Sequence, residues 1–366
     1  MFKKRFIVVT AVIVCCLFTI AACGNNNAPP ADTGAPADTG TQAEAPAPAD
    51  DTSSGDKKVY GYVTPGPDTW YKKDVDGFEY AAGLIGADVI VLNSDYDVEK
   101  EIANIESLIN QGVDGMTMFT FNESGANIAA EKCLEAGVPL VVVGNCGVVI
   151  DLGHEVIASV DFDWKGMGTD YAEFIADNYP GENIAMVTGL FEHVPVIHYR
   201  STLEPRVEEL GKNEIVAIRD GKYDPEEAVR QAEDLIQSGI DFSILFVGNE
   251  DMAAAVIRML ESKDLLNNPI KIITENGSPV GLPLLKEGKI TYTISSSPGW
   301  DGMVAFLALH SYVTGRSDEM NQYIWLPSIG ITQDSALDPM KVVPWDPDPV
   351  WHELTAQYFP QYDGMY

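Results

Sequence analysis

Cations are scarce in this chain. Its 366 residues carry 23 Lys and Arg against 55 Asp and Glu, a net charge of −32. So acidic a surface repels phosphate backbones, which excludes nucleic acid as a partner. The acidity speaks for solubility and does not fix the charge of a ligand. Metal-ligating patterns are also missing. No Cys-x-x-Cys or His-x-x-x-His occurs, and His154, His193, His198, His310 and His352 are scattered, so no structural metal site is indicated. Catalytic signatures are absent as well: there is no nucleophile elbow, ordered Ser-His-Asp set or phosphate loop. Glu131 and Glu173 fall on helix faces, not in convergent pairs. Neither enzymatic activity nor a cofactor is expected. Gly166-Met167-Gly168 lacks the third glycine of a dinucleotide fingerprint and reads as close helix packing. Asp74-Val75-Asp76-Gly77 lacks the downstream oxygens of a calcium loop and reads as the solvated face of a helix.

The N-terminus carries Lys3, Lys4 and Arg5, then an uncharged apolar run from Phe6 to Ile20, then Ala21-Ala22-Cys23-Gly24. Small residues before a cysteine resemble a bacterial lipobox. That resemblance implies a signal peptide over residues 1–22, cleavage before Cys23 and diacylation of its thiol; an uncleaved membrane anchor is the alternative. Two acyl chains suffice for stable anchoring. Residues 23–57 are rich in Asn, Ala, Pro, Asp, Thr, Gly and Ser and have almost no large apolar side chains. Such a stretch cannot offset its chain entropy by burial and is expected to be a disordered tether. It suits a protein held on the outer face of a Gram-positive cell membrane. Cys15 and Cys16 leave with the leader and Cys23 takes lipid, so Cys133 and Cys146 are expected as free thiols.

The remaining chain, about 310 residues, exceeds the usual size of one core, so two lobes are expected. From residue 58, short β-branched runs alternate with amphipathic helical stretches. Strands are expected at 59–63, 88–92, 115–119, 140–144, 156–160, 183–188, 214–219, 243–247, 270–274 and 291–295. Leu140-Val141-Val142-Val143 is apolar on both faces, as in a parallel sheet covered by helices. Asp224-Pro225 supplies an N-cap and a proline at the first helical position. Alternation of this kind makes βαβ units, and about ten strands are too many for one compact sheet. The fold class is α/β, with two Rossmann-like lobes joined by a three-segment hinge. Ligands of such sheets sit beyond the carboxyl ends of the strands.

There the chain places Asp68, Trp70 and Tyr71, two large aromatics beside a carboxylate. Aromatic faces suit the C–H side of a sugar, and Asp68 can accept from hydroxyls; a staple covering the lobe interface is the plainer alternative. Trp70-Tyr71, Gly137-Val138-Pro139-Leu140, Phe246-Val247-Gly248-Asn249-Glu250-Asp251, Glu275-Asn276-Gly277-Ser278-Pro279 and Thr293-Ile294-Ser295-Ser296-Ser297-Pro298 resemble, in this order, the type I periplasmic binding proteins of the ribose- and galactose-binding branch. The resemblance runs from residue 58 to about 330. It implies ligand-binding roles for Trp70 and Tyr71, for Asn249, for Asn276 where relatives carry an acid, for Ser296 where they carry glutamine, for Tyr223 and for Arg200. Gly144-Asn145-Cys146 stands where sugar binders commonly show Asp-Arg, so a less charged pocket is expected, with Asn145 as its polar contact. Asp161 either touches ligand or caps the helix that follows.

The resemblance further implies a small polar ligand, above all a sugar, enclosed between a first lobe (58–160 and 297–328) and a second (161–296 and 329–345). Residues 346–366 form an extension without a counterpart. Chain crossings are expected near 159–162, 296–298 and 325–330. Closure around ligand would present the protein, as a monomer, to the permease subunits of an ABC transporter. A deoxy sugar, disaccharide, polyol, furanone-type signal or nucleoside also fits, and a ligand sensor serving a membrane kinase or chemoreceptor is the alternative function.

Overall fold

Polar side chains mark where the helices begin. The computed structural model describes residues 57–120, 123–338 and 340–366; the leader, Cys23 and the tether up to residue 56 lie outside the described residues. The first part of the chain runs β1 (Val59–Thr64), α1 (Thr69–Leu84), β2 (Asp88–Asn93), α2 (Val98–Gln111), β3 (Gly115–Phe119), α3 (Glu123–Ala136), β4 (Leu140–Val143), α4 (Val148–Asp151) and β5 (Ala158–Phe162). Then follow α5 (Trp164–Asn178), β6 (Ile184–Thr188), α6 (Val194–Leu210), β7 (Ile215–Asp220), α7 (Pro225–Gln237), β8 (Ile244–Val247), α8 (Glu250–Ser262), β9 (Lys271–Asn276), α9 (Gly281–Lys286) and β10 (Tyr292–Ser295). Last come α10 (Pro298–Val313), β11 (Gln322–Leu326), β12 (Ile329–Ile331) and α11 (Val350–Tyr358). Asp97 accepts the Lys100 backbone N–H at 2.9 Å at the head of α2. Asp224 does the same for Glu227 at 2.7 Å, ahead of Pro225 in α7. These caps satisfy donors that a first turn leaves unpaired.

Two sheets result, ordered β11-β5-β4-β3-β1-β2 and β12-β10-β9-β8-β6-β7. All pairs are parallel except β10 with β12. Each sheet repeats one doubly wound order, in which the chain reverses direction beside the first strand. Every residue of β4 is buried, as its two-sided apolar pattern requires. The chain passes between the sheets three times. Asp163 links β5 to α5, whose Tyr171 reaches the β9 carbonyl of Thr274 at 2.8 Å. Residues 296–297 lead from β10 to α10, whose His310 bonds Tyr60 of β1 at 2.7 Å. Residues 327–328 join β11 to β12.

Each lobe brings two helices into backbone contact through glycine. A Cβ on Gly77 of α1 would lie 1.8 Å from the Gly299 carbonyl oxygen of α10. One on Gly168 of α5 would lie 2.1 Å from the Tyr199 oxygen of α6. Gly168 is thus the close-packing glycine expected from Gly166-Met167-Gly168, and no nucleotide loop occurs there. Asp74 departs from expectation. It is buried, not solvated, and its carboxyl accepts from Tyr62 Oη. Asp76 does face outward, paired with Lys72 at 2.7 Å. Cys133 and Cys146 are buried and unbridged.

The C-terminal stretch docks on the first lobe. Val343 still touches sheet two, its N–H donating to Ser295 Oγ at 3.1 Å. From there the Pro344 carbonyl accepts from Trp351 Nε1 at 2.9 Å and from Ser297 Oγ. Trp300 Nε1 donates to Thr355 Oγ1 at 3.0 Å, Tyr80 bonds His352 at 2.9 Å, and Lys73 pairs with Asp346. Helix α11 therefore lies against α1 and α10.

Candidate functional site

The carboxyl ends of both sheets open onto one cavity of about 630 Å³, within the range of small-molecule sites. The first lobe contributes Asp68, Trp70 and Tyr71 after β1, Tyr96 after β2, Phe119 at the end of β3, Gly144 after β4 and Asp161 in β5. The second contributes His193 after β6, Lys222 and Tyr223 after β7, Asn249 and Asp251 after β8, and Glu275 with Asn276 at the end of β9. Trp164, Asp301 and Trp345 also line the wall.

Seven of the expected site residues thus meet around one space: Asp68, Trp70, Tyr71, Asp161, Tyr223, Asn249 and Asn276. Two of them also cap helices. Asp68 accepts the Trp70 N–H at 2.8 Å, and Asn249 accepts that of Met252 at 2.9 Å. Asp161 does not cap α5; Asp163 does, at 2.8 Å from Gly166 N. The Asp161 carboxylate instead accepts from Trp164 Nε1 at 2.7 Å and from the Cys146 N–H at 3.0 Å. Asn145, Ser296 and Arg200 stand outside the lining. Asn145 is buried, its Oδ1 accepting from Val149 N at 2.6 Å. Ser296 sits behind Asn276, its hydroxyl 3.3 Å from that Oδ1. Arg200 pairs with Glu204 at 2.7 Å and lies over the Phe191 ring.

Trp70 packs edge-on against Trp345 and Phe162, with centroids 5.3 and 6.1 Å away. Tyr71 does the same with Phe119 at 4.9 Å. The charge of the lining is one-sided. Asp68, Asp161, Asp251, Glu275 and Asp301 are present against Lys222 alone among the described lining residues. At the end of β4 the lining residue is Gly144, and the carboxyls come from other elements. Burial pushes the Glu275 carboxyl well above the usual carboxylate range, with Glu250 adding to the effect. Burial also raises Asp301, followed by the charges of Asp74 and Asp161. Glu250 is pushed up to about 7 by burial, against opposing hydrogen bonds from Ser278, Thr293 and Gly277.

A model of the periplasmic binding protein domain matches residues 60–317, most of both lobes. The chain belongs to the type I periplasmic binding proteins. The ribose import binding protein RbsB of Bacillus subtilis is 25% identical over 252 residues, covering 66% of this chain and 76% of that protein. The fructose import binding protein FruE of Bifidobacterium longum is 24% identical over 315 residues, covering 83% and 87%. A solute binding protein of an ABC transporter from Bacillus halodurans, solved with bound myo-inositol, superposes with a TM-score of 0.70 at 21% identity, covering 76% of this chain and 96% of that one. Among the described residues no helix is long and apolar enough to cross a membrane.

Several lining residues of this periplasmic binding protein escaped sequence reasoning. Glu275 adjoins Asn276, and the rule that places one at a strand end places the other. Asp301 lies in the first turn of α10, a helix buried from Pro298 to Ser311 that shows no amphipathic period. Trp345 belongs to the Pro- and Asp-rich tail, and no motif marks it.

Proposed function

We propose that this chain is the extracytoplasmic binding component of an ABC importer and takes a sugar or related polyol between its lobes. The observation that carries the reading is the convergence of nine strand ends, from two sheets, on one aromatic-lined cavity. Two chemistries suit a polyhydroxylated ring there. Trp70, Tyr71 and Trp345 offer apolar surface for C–H groups. Carboxylates, Asn249 and Asn276 offer acceptors and donors for hydroxyls, and the buried indole Nε1 of Trp345 has no partner of its own. Residues lent by two lobes hold a ligand fully only when the lobes are together, so ligand would shift the population toward a closed form. That closed form is what permease subunits would recognise.

Titration calorimetry against pentoses, hexoses, cyclitols, linear polyols and nucleosides tests the reading. We expect a hit among the first four, and Trp70→Ala should weaken it by about 1–3 kcal/mol, roughly 5- to 150-fold. Binding of nucleosides alone, or unchanged affinity in the variant, would refute it. The Ala21-Ala22-Cys23 run supports a lipid anchor at Cys23, in which case Cys23→Ser should move the protein from the membrane fraction to the medium. Retention on the membrane would count against the anchor.

A further inference from the structure

Buried carboxyl oxygens with nothing to bond are costly, and this cavity holds two. Glu275 is 3% exposed and Asp301 1%; both line the cavity, and Glu275 Oε2 and Asp301 Oδ1 have no hydrogen-bond partner. They come from opposite lobes, Glu275 from the end of β9 and Asp301 from α10. At the rim a second acid pair spans the cleft. Asp68 of the first lobe sits close enough to Asp251 of the second to disfavour its ionisation, after the larger effect of burial. A neutral sugar leaves the buried carboxyls of both lobes without a counter-charge, whereas a cation in the cavity would favour their ionised form and offset the repulsion between Asp68 and Asp251.

The walls suit the same charge. Trp70, Tyr71, Phe119, Trp164, Tyr223 and Trp345 surround the space, and aromatic faces attract a desolvated cation. The protein offers little of its own to neutralise the acids. Lys222 is the single basic lining residue among those described, apart from His193, and it is exposed at the mouth. Burial holds His193 down at about 4 and hence neutral, while its Nδ1 lies 3.0 Å from Tyr223 Oη. The groups around Glu275 carry no positive charge either: Glu250 of α8, Tyr171 of α5, Tyr199 of α6 and Tyr223. Those around Asp301 are Asp74, with which it shares a side-chain hydrogen bond, and Asp161.

We propose that the ligand is an aminated sugar or aminocyclitol, whose protonated amine supplies the positive charge that Glu275, Asp301 and the rim acids lack. Its hydroxyls and ring C–H faces use the polar and aromatic groups already described, so the inference rests on the sugar-binding reading and narrows it. Amine and carboxylate meet as a charge-assisted hydrogen bond in a site shielded from water.

Matched pairs separate the two claims: glucose with glucosamine, galactose with galactosamine, and myo-inositol with its monoamino counterpart, titrated by calorimetry into the full-length protein at pH 7. At least one amine should bind 10-fold or more tighter than its neutral partner. Glu275→Gln should erase most of that preference by weakening the amine far more than its neutral partner, and Asp251→Asn should reduce it by a smaller factor. The second variant lies on the exposed rim and tests the charge even if Glu275→Gln misfolds. Neutral members binding as well as or better than amines would overturn the amine proposal and leave the sugar-binding reading standing. If no member of any pair binds while another sugar or polyol does, the amine proposal falls and the sugar-binding reading stands; if no sugar or polyol binds, both fall.

Discussion

Replacing Gly77 with alanine should cost the protein at least about 3 kcal/mol of stability. The added methyl is itself the problem, because its carbon would sit 1.8 Å from the Gly299 carbonyl oxygen. No side-chain rotation relieves contact with backbone, so α1 and α10 must move apart. A Cβ on Gly302 would meet the Asp74 carbonyl at 1.9 Å, so these helices touch at a second point along their length. Separating them loosens Phe78, Trp300 and Phe306, all fully buried. Gly83, on the same helix with nothing within 4 Å of its Cβ direction, is the internal control. Gly83→Ala should be neutral or stabilising by up to about 1 kcal/mol, since alanine restricts the unfolded chain. Urea denaturation of both variants decides the matter; equal midpoints would refute the helix contact described here.

The second large effect concerns the tail. Trp351→Ala should lower stability by about 3–5 kcal/mol, the usual cost of removing a buried tryptophan, and should weaken ligand binding as well. Trp351 is fully buried, packs edge-on with Tyr80 at 5.9 Å and donates to the Pro344 carbonyl. Pro344 adjoins Trp345, whose ring forms one side of the cavity against Trp70. Loss of the anchor therefore loosens a cavity wall by way of one peptide unit. Denaturant titration, limited proteolysis of residues after 343 and calorimetry with the cognate ligand would all respond. Wild-type stability and protease resistance in the variant would show that the tail is not docked.

Much of the architecture could be read from the chain because its signals are local. Ten strands appear within two residues of their expected bounds, since β-branched runs and the alternation of βαβ units are sequence properties. Helix α7 is legible from Asp224-Pro225 followed by the apolar spacing of Val229, Ala232, Leu235 and Ile236. Helix α10 was not, because a helix apolar on every side has no period to detect. Strand β11 was obscured by its position at a sheet edge, where Tyr323 and Trp325 face outward and alternate with the buried Ile324 and Leu326. The site divides along the same line. Asp68, Trp70, Tyr71 and Asn249 follow strands directly and could be located by that rule. Asp301 and Trp345 arrive through long-range docking, which no spacing encodes. Asn145 and Arg200, expected at the site from the family resemblance, bond Val149 and Glu204.

The docking of Trp345 bears on how preferences could change over generations. Trp345 follows β12, the last strand of either sheet, so this indole enters from a segment outside both sheets. A few substitutions in an appendage could retune selectivity while both sheets, the three crossings and the surface offered to a permease stay untouched. Specificity would then drift faster than architecture, and a ligand inferred by aligning the scaffold alone would overlook one face of the container.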